Sequence, residues 1–144
     1  MEMPDSRGMS LPSGMIDFRR LIVWQRAHAL TAELMNDSRL DSSARAAVVG
    51  LQLRRTALSI AANIAEGSGA GTHAMFARYL GIALASAFEL DYFVLAARDA
   101  QLWPPEDADR IVGEITELRR MLFVLRRRVQ QDPRGQRKAA TRGA

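Results

Sequence analysis

LQLRRTALSIAANIAEG, residues 51–67, is the stretch that decides the fold. Its apolar residues form two rows: Leu51, Leu58, Ala62 and Ala65 in one, and Leu53, Ala57, Ile60 and Ile64 in the other. Both rows fit the 3.6-residue period of an α-helix, and neither fits the two-residue period of a strand. A surface helix needs only one apolar row. We therefore predict a long helix that buries most of its circumference at the centre of a helical assembly.

A polar stripe separates the two apolar rows, and it allows two interpretations. Its members are Gln52, Arg55, Ser59, Asn63 and Glu66. In a buried network, Arg55 would pair with a carboxylate of a neighbouring helix, for which Glu89 is the candidate, and such pairs fix register more than they add stability. On a functional surface, Arg54 and Arg55 would bind phosphate, and Asn63 would contact sugar or base. The periodicity alone favours the structural interpretation.

The remaining periodic segments predict three more helices, which gives helices over residues 17–36, 42–66, 72–102 and 105–131. Asp17, either Asp41 or Ser42, and Thr72 are the expected caps of the first three helices. Glycines at 67–71 end the second helix, and Pro105 begins the fourth because the first helical turn does not use the missing N–H. Four helices with short connections indicate an all-α, antiparallel up-and-down four-helix bundle.

The apolar spacing also predicts which side of each helix is buried. In the first helix these residues are Leu21, Trp24, Ala27, His28, Thr31, Leu34 and Met35, with Trp24 as the large anchor. In the third they are Phe76, Tyr79, Leu80, Ala83, Leu84, Ala87, Leu90, Val94 and Ala97, and in the fourth Ile111, Ile115, Leu118, Leu122, Leu125 and Val129. Gly50, Gly81 and Gly113 lie inside helices, which indicates either close helix contacts or simple tolerance.

Charge is distributed unevenly along the chain of net charge +4. Thirteen basic and fifteen acidic residues precede Arg126, whereas seven basic residues and one acid, Asp132, occupy the rest. Residues 1–16 and the basic tail 132–144 are predicted to be disordered, because they offer little apolar surface to bury. The tail is typical either of a nucleic-acid contact or of a solubilising terminus.

Composition also bears on the compartment. The absence of cysteine fits a reducing compartment, and the first residues contain no apolar signal region, so we expect a cytoplasmic protein. The apolar run 75–97 carries Arg78, Glu89 and Asp91, which argues against a membrane span.

No arrangement of residues predicts catalysis, so we expect no enzyme, no cofactor and no metal. His28 and His73 are the two histidines, and neither lies in a metal-binding motif. His28 is predicted to be a bundle histidine and His73 a surface residue. The sequence GSGAGT at 67–72 follows a helix and lacks the lysine of a phosphate loop, which favours a turn between helices.

The arginines near the end of the fourth helix form the main candidate for a ligand site. Nineteen of the twenty basic residues are arginine, which suits bidentate contacts with phosphate. Arg126, Arg127 and Arg128 would either complement the negative end of the helix dipole or form a basic surface for nucleic acid. The full candidate set is Arg54, Arg55, Arg119, Arg120, Arg126, Arg127 and Arg128.

Three segments resemble a known family. FRRLIVWQRA at 18–27 is similar to the opening L-x-V-W-Q-K-A of the bacterial four-helix-bundle family known from intervening sequences in 23S ribosomal RNA genes. Residues 51–67 resemble its hallmark L-x-x-Q-L-R-R-A-x-x-S-I-x-x-N-I-A-E-G, and YLGIALASAFEL at 79–90 resembles its F-L-x-I-A-x-G-S-x-x-E-L. The chain departs from the pattern at Thr56, Ala70 and Ala85, where the family usually has Ala, Arg and Gly.

The resemblance implies a four-helix bundle that assembles as a ring, typically a homopentamer. A relative by resemblance, the accessory variability protein of diversity-generating retroelements, binds nucleic acid and works with a reverse transcriptase. We therefore expect a non-enzymatic, oligomeric accessory protein that binds RNA or DNA through arginine. The alternative is a scaffold for a reverse transcriptase or another protein, without direct nucleic-acid binding.

Overall fold

The computed structural model describes residues 16–134. Its helices are α1 Ile22–Asn36, α2 Ala44–Ser68, α3 His73–Asp99 and α4 Pro105–Gln131. Short 3₁₀ helices, Phe18–Arg20 and Ser38–Asp41, precede α1 and α2. The predicted all-α four-helix bundle is confirmed. Predicted disorder in residues 1–15 and 135–144 falls outside the described residues.

Local hydrogen bonds determine where helices begin, and the caps of two helices differ from those predicted. The predicted cap of α2 is wrong: Ser43 Oγ accepts from the Ala46 N–H at 3.0 Å, because Asp41 and Ser42 belong to the end of the preceding 3₁₀ helix. Asp17 caps the 3₁₀ helix before α1 rather than α1 itself. Thr72 caps α3 as predicted, since its hydroxyl accepts from the Met75 N–H at 3.2 Å.

The core between the helices agrees with the sequence pattern in α3 and α4. Every residue predicted for these two faces is buried or half-buried. In α1 the buried face is Val23, Ala27, Leu30, Thr31 and Leu34. The predicted face of α1 is therefore partly wrong, because His28 and Met35 lie on the exposed side. Trp24 is half-buried and packs edge-on against Phe18, with ring centroids 4.8 Å apart.

α2 buries one apolar row and exposes the other. Leu53, Ala57, Ile60 and Ile64 are all buried in the core. Leu51 is 53% exposed and Leu58 48% exposed. The prediction that α2 buries most of its circumference is wrong within the single chain, because α1 and α3 cover only the first of these rows.

The up-and-down topology gives the bundle two chemically different ends. The α1–α2 and α3–α4 connections meet at one end, which we call the interlocked end and define by Asp37, Arg39, Arg54, Trp103 and Asp107. The start of α1, the α2–α3 connection and the end of α4 meet at the other. We call it the basic end and define it by Arg20, Arg78, Arg126, Arg127 and Arg128.

Ion pairs and hydrogen bonds close the interlocked end. The Trp103 indole N–H donates to Asp37 Oδ2 at 2.9 Å, and Arg39 bridges Asp37 at 2.9 Å and Asp107 at 2.6 Å. Arg54 donates to both oxygens of Asp41, at 2.7 and 2.8 Å. The bonds of Trp103 and Arg39 tie the connection between α1 and α2 to the α3–α4 connection and the start of α4, and those of Arg54 tie it to α2.

Two interior glycines show opposite packing. A Cβ at Gly50 would lie 2.8 Å from both the Cβ and the carbonyl oxygen of Leu40, so glycine is what lets α2 approach the 3₁₀ helix. A Cβ at Gly113 would meet no heavy atom within 4 Å. Of the two alternatives that the sequence left open, Gly50 therefore permits a close helix contact, whereas Gly113 is simply tolerated.

α3 is long and apolar enough to cross a membrane by length and composition alone. A core helix of a bundle passes the same test. In this chain α3 packs against both α2 and α4, and it carries Arg78, Glu89 and Asp91 along its length.

Candidate nucleic-acid interface

A groove at the basic end lies between the start of α1 and the last turns of α4. Its volume is about 370 Å³. Three arginines (Arg20, Arg120 and Arg128) and six apolar residues (Leu21, Ile22, Val23, Met121, Val124 and Leu125) line it. We call it the α1/α4 groove. Apolar walls with cationic side chains suit a ligand that carries both flat apolar surface and phosphate.

The three arginines of the groove differ in their partners. Arg120 forms an ion pair with Glu117 one helical turn earlier, and this hydrogen bond holds the pKa of the Glu117 carboxyl below its usual value. Arg20 and Arg128 are exposed and form no ion pair within residues 16–134. The guanidinium groups of these two residues can therefore bind an external phosphate without breaking an internal pair.

The predicted basic triplet points to different sides of α4. Successive helical residues are separated by about 100° around the axis. Arg128 lines the α1/α4 groove, whereas Arg126 lines a separate cavity against α3, and Arg127 is exposed. The structure therefore does not bring the three side chains to one site.

Arg54 and Arg119 are engaged inside the chain. Besides its pair with Asp41, Arg54 donates to the carbonyl oxygens of Leu34 and Asp37, each at 3.1 Å. Arg119 forms an ion pair with Asp91 at 3.1 Å, and its guanidinium lies 4.6 Å from the ring centroid of Phe88. These contacts give both arginines a structural role, and their predicted phosphate contacts stay predictions.

The polar stripe of α2 is partly joined to α3. Ser59 and Ser86 are hydrogen-bonded through their hydroxyls at 3.0 Å, and the Asn63 amide donates to Ser59 O at 2.7 Å. Gln52 is half-buried and Glu66 is exposed. Arg55 and Glu89 are also exposed, and no ion pair joins them in the described part of the chain. The predicted Arg55–Glu89 pair is thus not formed within one chain.

The two histidines lie apart and serve different contacts. His28 is exposed and stacks on Trp24 with a centroid distance of 4.8 Å, which differs from the buried bundle histidine expected. His73 Nε2 lies 3.1 Å from Asp132 Oδ2. Within residues 16–134, no three His, Asp or Glu side chains group as metal ligands.

Sequence reasoning missed Arg20 as a member of the candidate site. A signal was present, because an up-and-down bundle places the start of its first helix beside the end of its fourth. Arg19 and Arg20 precede α1 in the sequence, so topology alone brings them close to the arginines at the end of α4.

The sequence of this bundle matches a known protein family. The family described as 23S rRNA-intervening sequence protein matches residues 19–124, which is most of the chain. The chain belongs to the 23S rRNA-intervening sequence protein family. The matched range contains the segments 51–67 and 79–90 in full, and all of the segment 18–27 except Phe18. No curated protein matches the chain.

The bundle of this 23S rRNA-intervening sequence family member is also similar to a solved structure. That structure is a protein of unknown function from the S23 ribosomal protein family of Bacteroides thetaiotaomicron. The TM-score is 0.70 at 24% sequence identity, over 78% of this chain and 99% of the other. At that identity the likeness establishes the shared fold.

Proposed function

We propose that this protein is a non-enzymatic accessory protein that binds the phosphate backbone of RNA or DNA at its basic end. The observation that carries the proposal is the α1/α4 groove, where Arg20 and Arg128 flank an apolar wall and form no ion pair with another of residues 16–134. The basic tail continues from the same end of the bundle and would add phosphate contacts. Family membership supports an association with ribosomal RNA genes.

We further propose that the protein acts as a homo-oligomer in the cytoplasm. The exposed apolar row of α2, with Leu51 at 53% and Leu58 at 48% exposure, supports self-association because such surface is costly in water. Ring assembly, typically a pentamer, is what the family resemblance implies. Arg55 and Glu89, both exposed, are available to pair between copies.

A second candidate is a scaffold that binds a reverse transcriptase or another protein without contacting nucleic acid. It is favoured by a groove of about 420 Å³ between α3 and α4, lined in part by Phe88, Tyr92 and Leu95. Phe88 is 58% exposed and Tyr92 63% exposed, and exposed aromatic residues are typical of protein interfaces. A relation to diversity-generating retroelements would make the polymerase its partner.

The test is the affinity for single-stranded and duplex RNA as a function of salt, for the full chain and for a chain ending at Gln131. The logarithm of the binding constant should fall linearly with the logarithm of salt, by about 0.7 per phosphate contact on a single strand. Retained binding with a smaller slope after truncation supports a site on the bundle. Absence of binding by both chains at low salt would refute the proposal and favour the scaffold.

A further inference from the structure

A second cavity at the basic end lies on the other side of α4, between the first turns of α3 and the last turns of α4. Its volume is about 760 Å³, within the range of about 300–1,000 Å³ that small-molecule sites occupy. His73, Arg78, Gly81, Ile82, Arg126 and Val129 are among the residues that line it. We call it the α3/α4 cavity. None of its lining residues belongs to the α1/α4 groove.

Arg126 is the unusual residue of this cavity. Its Nε is buried and has no hydrogen-bond partner within residues 16–134. Buried polar atoms are normally hydrogen-bonded, and a donor of a charged group left without an acceptor is costly. The guanidinium also forms no ion pair in the described part of the chain. Within residues 16–134, Arg126 is therefore a cation whose Nε lacks an acceptor, and the residue lines the α3/α4 cavity.

Gly81 makes room for this guanidinium. A Cβ at position 81 would lie 3.2 Å from Arg126 Cζ and 3.3 Å from Nη2, which is tighter than ordinary contact. The guanidinium of Arg126 thus packs against the backbone of α3 at Gly81, which has no side chain. Glycine inside a helix costs about 1 kcal/mol relative to alanine. An alanine at position 81 would require the guanidinium to move by a few tenths of an ångström.

The surroundings of Arg126 favour an anion. Arg78 also lines the cavity. The nearby carboxylate of Asp132 lies 3.1 Å from His73 Nε2 and pairs with Arg134 at 2.8 Å, so Arg134 already compensates its charge. Two guanidinium groups suit a doubly charged phosphate with several acceptor oxygens better than a single carboxylate. Ile82 and Val129 add apolar wall for the rest of the ligand.

We propose that the α3/α4 cavity binds a phosphate monoester that carries a flat or apolar group, with Arg126 donating to the phosphate. Free nucleotides and the 5′-terminal phosphate of a nucleic-acid strand share this chemistry. The site is independent of the α1/α4 groove, so it can be occupied whether or not internal phosphodiesters bind there.

The experiment is calorimetric titration of the full chain with phenyl phosphate, and with benzoate as the carboxylate of matched shape. Phenyl phosphate should bind, and Arg126→Gln should weaken that binding about tenfold or more, because a charge-assisted hydrogen bond is lost. Arg127→Gln removes the same charge one residue away and should change affinity by less than about twofold. Equal affinity for benzoate, or equal loss in the two variants, would overturn the proposal.

A second measurement uses the unchanged protein and therefore does not depend on the folding of a variant. In the unchanged protein, the Arg126 Nε–H resonance should shift on addition of phenyl phosphate. Gly81→Ala, which crowds the guanidinium, should reduce this shift. No movement of the resonance at millimolar phenyl phosphate would overturn the proposal without any mutation.

Competition then separates the two sources of the phosphate. Displacement of phenyl phosphate by a 5′-phosphorylated RNA oligonucleotide, but not by the same strand with a 5′-hydroxyl, assigns the site to strand ends. Displacement by adenosine monophosphate alone assigns it to free nucleotides. Equal displacement by both oligonucleotides would show recognition of internal phosphodiesters and would contradict a monoester site.

Discussion

The two ends of the bundle use the same residue, arginine, in opposite ways. At the interlocked end, Arg39 and Arg54 make ion pairs with Asp37, Asp107 and Asp41 and hydrogen bonds that join two helix connections. At the basic end, Arg20 and Arg128 are exposed without an ion pair within residues 16–134. At the interlocked end the carboxylates lie within ion-pair distance of the arginines, whereas none among residues 16–134 pairs with Arg20 or Arg128.

This difference suggests that the interlocked end contributes to folding stability and the basic end to phosphate binding. Ion pairs that are partly buried and shared among several groups contribute more than isolated surface pairs. Asp37, whose side chain is only 12% exposed, accepts bonds from Arg39 and Trp103, so its loss would leave donors without acceptors. The arginines of the basic end can be replaced without such a loss. We therefore expect substitutions at the interlocked end to affect folding and substitutions at the basic end to affect binding.

The largest effect on stability should follow from Asp37→Ala. This substitution leaves the Trp103 indole and the Arg39 guanidinium without their shared acceptor, and should lower the free energy of unfolding by about 2–3 kcal/mol. Arg128→Ala at the basic end should change it by less than about 0.5 kcal/mol. Urea denaturation followed by circular dichroism measures both. Similar losses in the two variants would remove the distinction between the ends.

Alanine substitutions at two glycines within helices should change the stability of the protein in opposite directions. Gly50→Ala places a Cβ against Leu40 beside the interlocked end, and should destabilise the protein by about 1–2 kcal/mol. Gly113→Ala fills open space in α4, and should stabilise it by up to about 1 kcal/mol. Thermal melting of the two variants gives the signs. If both raise the melting temperature, the contact at Gly50 is not tight.

A smaller effect should appear at acidic pH. Burial raises the pKa of Asp37, but hydrogen bonds from Arg39 and Trp103 outweigh it and hold the pKa below its usual 3.8. Because the unfolded chain is protonated first, the stabilisation by Asp37 is complete above about pH 3.8 and is lost as the pH falls through the folded-state pKa.

The measurement is the free energy of unfolding of the unchanged protein and of Asp37→Asn, followed from pH 6 to pH 2. The advantage of the unchanged protein should shrink below about pH 4, since protonated Asp37 resembles the amide. A constant difference over that range would show that Asp37 contributes nothing to acid sensitivity.

Periodicity was enough to predict the bundle but not which side of α2 is covered. Both of its apolar rows fit a helix, and only packing shows that Leu53 and Ile60 are buried while Leu51 and Leu58 are exposed. Within residues 16–134 no helix covers the second row, and the spacing of apolar residues does not show which row meets a neighbouring helix. Similarly, the spacing places His28 on the apolar face of α1, but its side chain is exposed in the structure.

Charged residues were harder to place than apolar ones. The sequence shows that Arg54 and Arg128 are basic. It does not show that Asp41 pairs with Arg54, or that no carboxylate among residues 16–134 pairs with Arg128. Such pairings depend on which helix ends come together in space. Arg20 joined the site for the same reason, although its position before α1 made it predictable once the topology was known.

The most direct test of the central claim compares paired substitutions at the two ends. Arg20→Gln with Arg128→Gln removes two charges from the α1/α4 groove. Arg45→Gln with Arg110→Gln removes two near the interlocked end, where Arg45 donates to the Ala100 carbonyl oxygen and Arg110 pairs with Glu33. The first pair should lower the salt slope of single-stranded RNA binding by about 1.4, whereas the second should leave it unchanged. Equal slopes for the two double variants would contradict the assignment of phosphate binding to the basic end.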